Sequence, residues 1–396
     1  MAAHGYSELN PSRRLLMGPG PSDAHPRVLR AMTTPLLGHL DPEFLELMEE
    51  SKTLLRSAFG TANDLTIPIS ATGSAGMEAA FVNVVEPGDD VIVCVNGVFG
   101  QRMSDIVGRC GANLTRVEAD WGATVAAEDV AAALKAVKNP KVVAIVHAET
   151  STGVLQPLGD IAALARDHGA LSLVDAVTSL AGAPVDVDAT GIDVAYSGTQ
   201  KCLSCPPGLS PITFSARALE VIQARKTKVQ SWYLDMSMIA RYWGEERVYH
   251  HTAPISMVYA FREALRLVDE EGLEARFERH RLHSAALAAG LEALGLGLGA
   301  EAGNRAPMLT LTSIPDGVDD GAVRRRLLSE FNLEIGGGLG VFAGKMWRSG
   351  LMGESCRRSS VLTCLDALET CLRDEGQSIG AGAGVSAALG YYADGA

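Results

Sequence analysis

The sequence predicts an α/β protein: a large, mostly parallel sheet covered by helices, followed by a smaller α+β lobe. Five short runs carry the first half of this reading. "DVIVCVN" (90–96), "KVVAIVHA" (141–148), "GALSLVDA" (169–176), "IDVAYSG" (192–198) and "SPITFS" (210–215) are apolar almost throughout. Between them lie "AGMEAAFVNVV", "QRMSDIVGRCG", "AEDVAAALKAV" and "LGDIAALARDHG", each with apolar residues at helical spacing. Strands that are apolar on both faces and separated by helices indicate a parallel sheet buried on both sides. Such a sheet takes its ligands at the carboxyl ends of its strands. The second half of the reading is a change of pattern near residue 255, where long helix replaces the alternation.

Taken in order, residues 1–20 form an N-terminal arm, whose "LLMGPGPS" holds too much Gly and Pro for a helix. Residues 21–271 make the large domain. The stretch from "MVYAFREALRL" to "LAAGLEALG" reads as one long helix with charge pairs at three- and four-residue spacing. Residues 272–396 make the small domain: "MLTLTSI", a helix "DDGAVRRRLLSEF", then "LEIGGG", "KMWRSGLMG" and a helix "SVLTCLDALETCL". The Gly/Ala-rich tail, 376–396, is expected to dock as a short helix near "VSAALGYY" or to stay mobile.

Composition narrows the function classes. The 396 residues are 47% hydrophobic and 20% charged, an ordinary globular balance with room for two domains. A net charge of −13 opposes a nucleic-acid partner, which needs a basic face. No run approaches the ~20 apolar residues of a membrane span. The start "MAAHGYSELNPSRR" lacks the apolar core of a signal peptide, and the final "DGA" is no peroxisomal address. Seven cysteines scattered through apolar segments read as reduced thiols, so a cytoplasmic location is expected.

Lys201 has no charged neighbour between Asp193 and Arg217; its surroundings are Ser, Thr, Gln, Cys, Pro and Gly. An amine with little access to water has a lowered pKa and becomes a nucleophile toward carbonyls. Asp175 ends the apolar run "ALSLVDA". A buried carboxylate and such an amine are the two groups that pyridoxal phosphate requires. The plainer reading is a surface lysine and a helix-capping aspartate. A third feature separates the two. "SATGSAGMEAAF" (70–81) runs a Gly- and hydroxyl-rich turn straight into a helix, whose free N–H groups suit a phosphate. All three features sit at strand ends of one α/β domain.

"HAETSTGVLQPL", "LVDAVTSLAG", "YSGTQKCLSCPPG", "RKTKVQSWYLDM", "VYHHTAP" and "GKMWRSGLMG" then identify a resemblance covering nearly the whole chain. They resemble the class V, fold-type I pyridoxal-phosphate aminotransferases, in the alanine/serine–glyoxylate branch. The resemblance implies a seven-stranded, mostly parallel sheet between helices and a smaller C-terminal domain. It implies that Lys201 bonds the cofactor and Asp175 holds its ring nitrogen. Thr72, Gly73 and Ser74 would cradle the phosphate, with Gln200 beside it and Val177 on the ring. Phe99 stands where relatives stack an aromatic on the ring, often tryptophan. Ser151 would contact the cofactor's polar edge and the substrate. Tyr249 and Thr252 would reach the phosphate of a neighbouring subunit, making a homodimer with shared active sites. Arg348 would grip the substrate carboxylate, with the backbone at Gly20 lining the pocket. The implied substrates are a small amino acid, alanine or serine, and glyoxylate as amino acceptor.

Rival readings are weaker. "HAE" (147–149) before "CLSC" (202–205) mimics a zinc-dependent deaminase-like hydrolase, but Lys201, not proline, precedes Cys202, so no metal is expected. The adjacent His250 and His251 sit on an extended segment where neighbours face opposite ways, which suggests packing or hydrogen bonding rather than ligation. "GGGLGVFAG" (336–344) has dinucleotide-like glycines without a surrounding βαβ unit. Cysteine desulfurases resemble one another in carrying histidine where this chain has Gln200. The nearer rival is the (S)-ureidoglycine–glyoxylate aminotransferase of purine catabolism. Its members resemble one another in using amides at two pocket positions that read His39 and Tyr249 here.

Overall fold

The computed structural model describes residues 8–394; residues 1–7 of the arm and the last two of "DGA" lie outside the described residues. The large sheet comprises β1 (Leu65–Ile69), β2 (Asp90–Val95), β3 (Asn113–Glu118), β4 (Pro140–Val146), β5 (Leu171–Asp175), β6 (Val194–Tyr196) and β7 (Ser210–Phe214). Its order is β1-β7-β6-β5-β4-β2-β3, and β7 alone runs antiparallel to its neighbours. Five of these strands match the five apolar runs. The other two are the sheet's edges. β1 contains Pro68, which an edge strand tolerates, and β3 ("NLTRVE") is mostly exposed, so neither has the continuous apolar signature of a central strand.

Helices at Gly73–Val84 (α1), Val98–Arg109 (α2), Ala127–Ala136 (α3) and Gly159–Asp167 (α4) follow strands, and each keeps a buried apolar face. The long helix expected after residue 255 is two: α5 (Ile255–Glu271) and α6 (Leu273–Ala293). Gly272 parts them with φ +81, a backbone conformation that glycine adopts at little cost. The break lets the two halves serve different cores. Phe261 and Leu265 of α5 join the cluster around the large sheet; Leu287 and Leu291 of α6 join a second one with Trp347, Leu365 and Leu368.

That second cluster packs a three-stranded sheet of β8 (Leu309–Ser313), β10 (Met346–Gly350) and β9 (Gly336–Gly337), in that order, against helices Asp320–Glu330 (α7) and Arg358–Asp374 (α8). The tail docks rather than hanging free. Helix Ala383–Asp394 (α9) buries Ala388, and its Tyr392 hydroxyl meets His283 Nδ1 at 2.8 Å. A third small cluster, including Ala183, Cys202, Met308 and Met352, joins the two lobes beside Lys201.

The arm is threaded between the lobes. Leu15–Leu16 pair in parallel with Leu333–Glu334. Gly350 N donates to Met17 O (2.7 Å), and Ser22 N donates to Gln200 O (2.8 Å). A Cβ added at Gly350 would lie 2.1 Å from Gly18 O, so only glycine lets β10 approach the arm so closely.

Candidate active site

Chain segments leaving the carboxyl ends of β1, β2, β4, β5 and β6 converge on one cleft of about 310 Å³. Its lining includes Thr72, Phe99, Thr150, Asp175, Gln200 and Lys201. This is where a parallel sheet is expected to bind its ligands.

Asp175 closes β5 and is buried. Its Oδ1 accepts from Val177 N (2.8 Å) and its Oδ2 accepts from the Tyr196 hydroxyl (2.7 Å). Burial pushes its pKa up to about 6, against those two bonds and the Lys201 charge, which favour the ionised form. A cationic ring nitrogen set against it would hold it ionised. Lys201 follows β6 through "SGTQ" and is buried as well. Burial lowers its pKa to about 8, partly offset by Asp175. Its Nζ donates to Pro19 O, and a Cβ at Gly20 (φ +98) would sit 2.5 Å from that nitrogen. The arm therefore forms a wall against the amine that no larger residue could supply.

Thr72 is the N-cap of α1 but makes no side-chain cap bond, and the first N–H groups of a helix have no partner within it. Gly73 and Ser74 open that helix and line the cleft. A Cβ at Gly73 would lie 3.3 Å from Val177 Cγ2, so this glycine lets the two loops close together. Beside them Gln200 Oε1 is buried without a hydrogen-bond partner. Unsatisfied donors at a helix start suit a phosphate, and a lysine–carboxylate pair suits an aldehyde and a ring nitrogen, so these residues fit pyridoxal phosphate.

Arg348, from β10, is 8% exposed. Its Nε donates to Gly337 O (2.7 Å) and its Nη1 to Thr150 O (3.3 Å). Among the described residues no carboxylate lies within ion-pair distance of it, and burial lowers its pKa to about 10. Arg348 is not itself among the lining residues but is bonded to one, Thr150, and a buried guanidinium without a counter-ion beside the cleft suits a carboxylate ligand. The "GGGLG" stretch supplies the carbonyl that holds it, not a dinucleotide loop.

Two expectations, for Ser151 and for the facing of His250 and His251, meet a different geometry. Ser151 does not line the cleft. It is 0% exposed, donates to Glu149 Oε1 (2.5 Å) and accepts from Val98 N (2.9 Å). Thr150 takes the wall position instead. The signal was period two: Val146, Ala148 and Thr150 face the cleft while Glu149 and Ser151 face away. Tyr249 (58% exposed) and Thr252 lie outside this chain's own cleft, which does not conflict with a role toward a neighbouring subunit, and Tyr249 meets the His39 ring at 5.3 Å. His250 and His251 do not diverge. Their Nδ1 atoms lie 2.8 Å apart because His251 Nε2 is drawn to Ser70 Oγ (2.7 Å) and His250 stacks on Trp232 at 4.5 Å. Arg102 was missed altogether; it lines the cleft, lies over the Phe99 ring at 4.8 Å and donates to Ser74 Oγ.

Comparison with known proteins agrees with this geometry. The aminotransferase class-V family matches residues 17–360. The crystal structure of an alanine–glyoxylate aminotransferase from Nostoc sp. is 52% identical, with a TM-score of 0.92, over 93% of this chain and 98% of that one. An (S)-ureidoglycine–glyoxylate transaminase from Bacillus subtilis is 45% identical over 98% of this chain and 97% of its own. An alanine–glyoxylate aminotransferase from Callithrix jacchus is 42% identical over 91% and 88% respectively.

Proposed function

The chain belongs to the class V aminotransferases, enzymes of pyridoxal phosphate, and from that premise we propose that it moves the amino group of alanine or serine onto glyoxylate. The observation that carries this reading is Arg348: one buried guanidinium with no acidic partner among the described residues, bonded to the carbonyl of Thr150, which lines the cleft with Lys201, where the Pro19–Gly20 backbone closes on the amine. One carboxylate is fixed and little room is left for a long side chain, which favours small donors and a small keto acid.

When bound, pyridoxal phosphate offers a carbonyl carbon to the donor nitrogen and a ring that accepts the electron pair of the broken Cα–H bond. The chain does the rest. Gly73, Ser74, Thr72 and Gln200 would hold the phosphate, and Phe99 and Val177 would hold the ring. Asp175 keeps a proton on the ring nitrogen. Lys201 Nζ, with its basicity reduced by burial, takes the α-proton as a base and returns it as an acid. The arm and the small lobe keep bulk water from that proton.

The ureidoglycine reading has one observation in its favour, the match to the Bacillus subtilis protein over 98% of this chain. Against it, His39 and Tyr249 stand where that branch resembles itself in carrying amides. Side-by-side kinetics with glyoxylate test the choice. Alanine or serine is expected to give the higher kcat/KM, and a preference for ureidoglycine would replace this reading with the purine-catabolic one. The exposure of Tyr249 and Thr252 outside the chain's own cleft supports a homodimer with shared sites. Mixing Lys201→Ala subunits with Tyr249→Ala/Thr252→Ala subunits should then restore activity, which separate sites would not do. Seven free cysteines, all buried, support a cytoplasmic location.

A further inference from the structure

Glu149 is a second buried carboxylate beside the cleft, 1% exposed, with no part in the proton transfers above. It ends the two-residue strand Ala148–Glu149, which pairs with Val154–Leu155. Its Oε1 accepts from Ser151 N (3.0 Å) and Ser151 Oγ (2.5 Å), and its Oε2 accepts from Phe99 N (3.0 Å). Ser151 Oγ in turn accepts from Val98 N (2.9 Å). The first two N–H groups of α2 are thus met by side chains from some fifty residues away in sequence. The helix has no cap of its own: Gly97 is the N-cap, and no acid stands in the first turn. Gly97 cannot be replaced freely, since an added Cβ would lie 2.4 Å from both Glu149 Cγ and Ser151 Oγ. An anion at a helix start is favoured by the free N–H groups and the dipole.

The same carboxylate lies among the charges of the site. Arg348 bonds the carbonyl of Thr150, the next residue, yet has no direct acidic partner among the described residues. Burial pushes the Glu149 carboxyl up, against the three hydrogen bonds it accepts from Ser151 and Phe99, which favour its ionised form. Ionised, it favours the cationic forms of Lys201 and Arg348 and opposes ionisation of Asp175 and Tyr196. Arg102, on α2, lines the cleft with Asp175 and favours the ionised forms of Asp175 and Tyr196.

We propose that Glu149 is a positioning residue for both ends of the cleft: it caps α2 so that Phe99 is presented to the cofactor ring, and it is the indirect counter-charge of Lys201 and Arg348. This rests on the assignment of Lys201 and Phe99 to the cofactor, so the test reads cofactor attachment separately. Three variants divide the roles. Glu149→Gln removes the charge and disrupts the cap, Ser151→Ala loosens the cap and keeps the charge, and Glu149→Asp keeps the charge on a shorter stem.

Each is prepared as holoenzyme, with cofactor content, visible circular dichroism and the pH midpoint of cofactor absorbance measured beside kinetics. Glu149→Gln should retain the cofactor, change the visible dichroism, and lower the midpoint by about half a unit or more, because a cation at Lys201 loses a nearby anion. Its KM for the keto acid should change as well. Ser151→Ala should change the dichroism and leave the midpoint in place; Glu149→Asp should keep the midpoint. Wild-type dichroism in Ser151→Ala overturns the capping role. An unchanged midpoint in Glu149→Gln overturns the counter-charge role. Should Glu149→Gln fail to fold, a lowered midpoint in Glu149→Asp also overturns it. Cofactor absent from Lys201 in the wild type would instead remove the premise.

Discussion

At the sheet end of the cleft, Thr72–Ser74, Asp175 and Lys201 each follow a parallel strand of one sheet, and most of their polar bonds come from that same domain. At the other end Arg348 comes from the small lobe and Gly20 from the arm; the bonds from Arg348 to Thr150 and from Lys201 to Pro19 cross between parts of the chain, while Gly337 holds Arg348 from within the small lobe. The sheet end carries perturbed acids and bases on a rigid support. The far end is held by carbonyls, its guanidinium free to take a carboxylate. The difference divides the labour: reaction chemistry at the sheet, substrate choice at the junction of arm and lobe.

The sharpest way to break that division is at Lys201. Lys201→Ala should lower multiple-turnover transamination by roughly 10⁴-fold or more, since both the covalent handle and the proton carrier are lost. Steady-state rates with any good donor read it. Asp175→Asn should come next, falling about 10²–10³-fold while the cofactor stays bound, because an amide cannot balance a cationic ring. Near-normal turnover would reduce Asp175 to a structural carboxylate. Arg348→Lys probes the other end. A point charge replaces a planar fork, so kcat/KM should fall about 10- to 100-fold, mostly through KM. A fall confined to kcat would place Arg348 on the chemical side of the comparison.

A smaller effect concerns stability. Burial lowers the folded-state pKa of Lys201 to about 8 from its usual 10.5. The unfolded chain therefore binds more protons between those values, so the destabilisation is full below pH 8 and fades as pH rises through 10.5. Cofactor-free Lys201→Met should melt about 1–3 °C higher than cofactor-free wild type at pH 7, with the gain shrinking toward pH 10. Equal melting at pH 7 would mean the amine is not desolvated by its surroundings.

The same division explains what was legible in the sequence. The five inner runs were readable because each is apolar on both faces, whereas β1 and β3, at the edges, carry Pro68 and exposed polar residues. Asp175 and Lys201 stood out as polar residues in apolar or neutral company. Ser151 and Thr150 were exchanged because "ETST" offers hydroxyls on both faces of an extended segment, and the register that separates them is set by Ala148 and Val146. The break at Gly272 sits in an otherwise unbroken helical pattern, so only the need to serve two cores exposes it. The facing of His250 and His251 depends on Ser70 and Trp232, contacts distant in sequence that no local periodicity encodes.

The central claim, that the lysine after the sixth strand is the covalent site, has a direct measurement. Reduction of the holoenzyme with borohydride fixes the lysine–cofactor bond as a stable secondary amine, and peptide mapping then locates it. The label is expected in the peptide containing Lys201 and nowhere else. A label on another lysine, or none in a protein that holds its cofactor, would contradict the account.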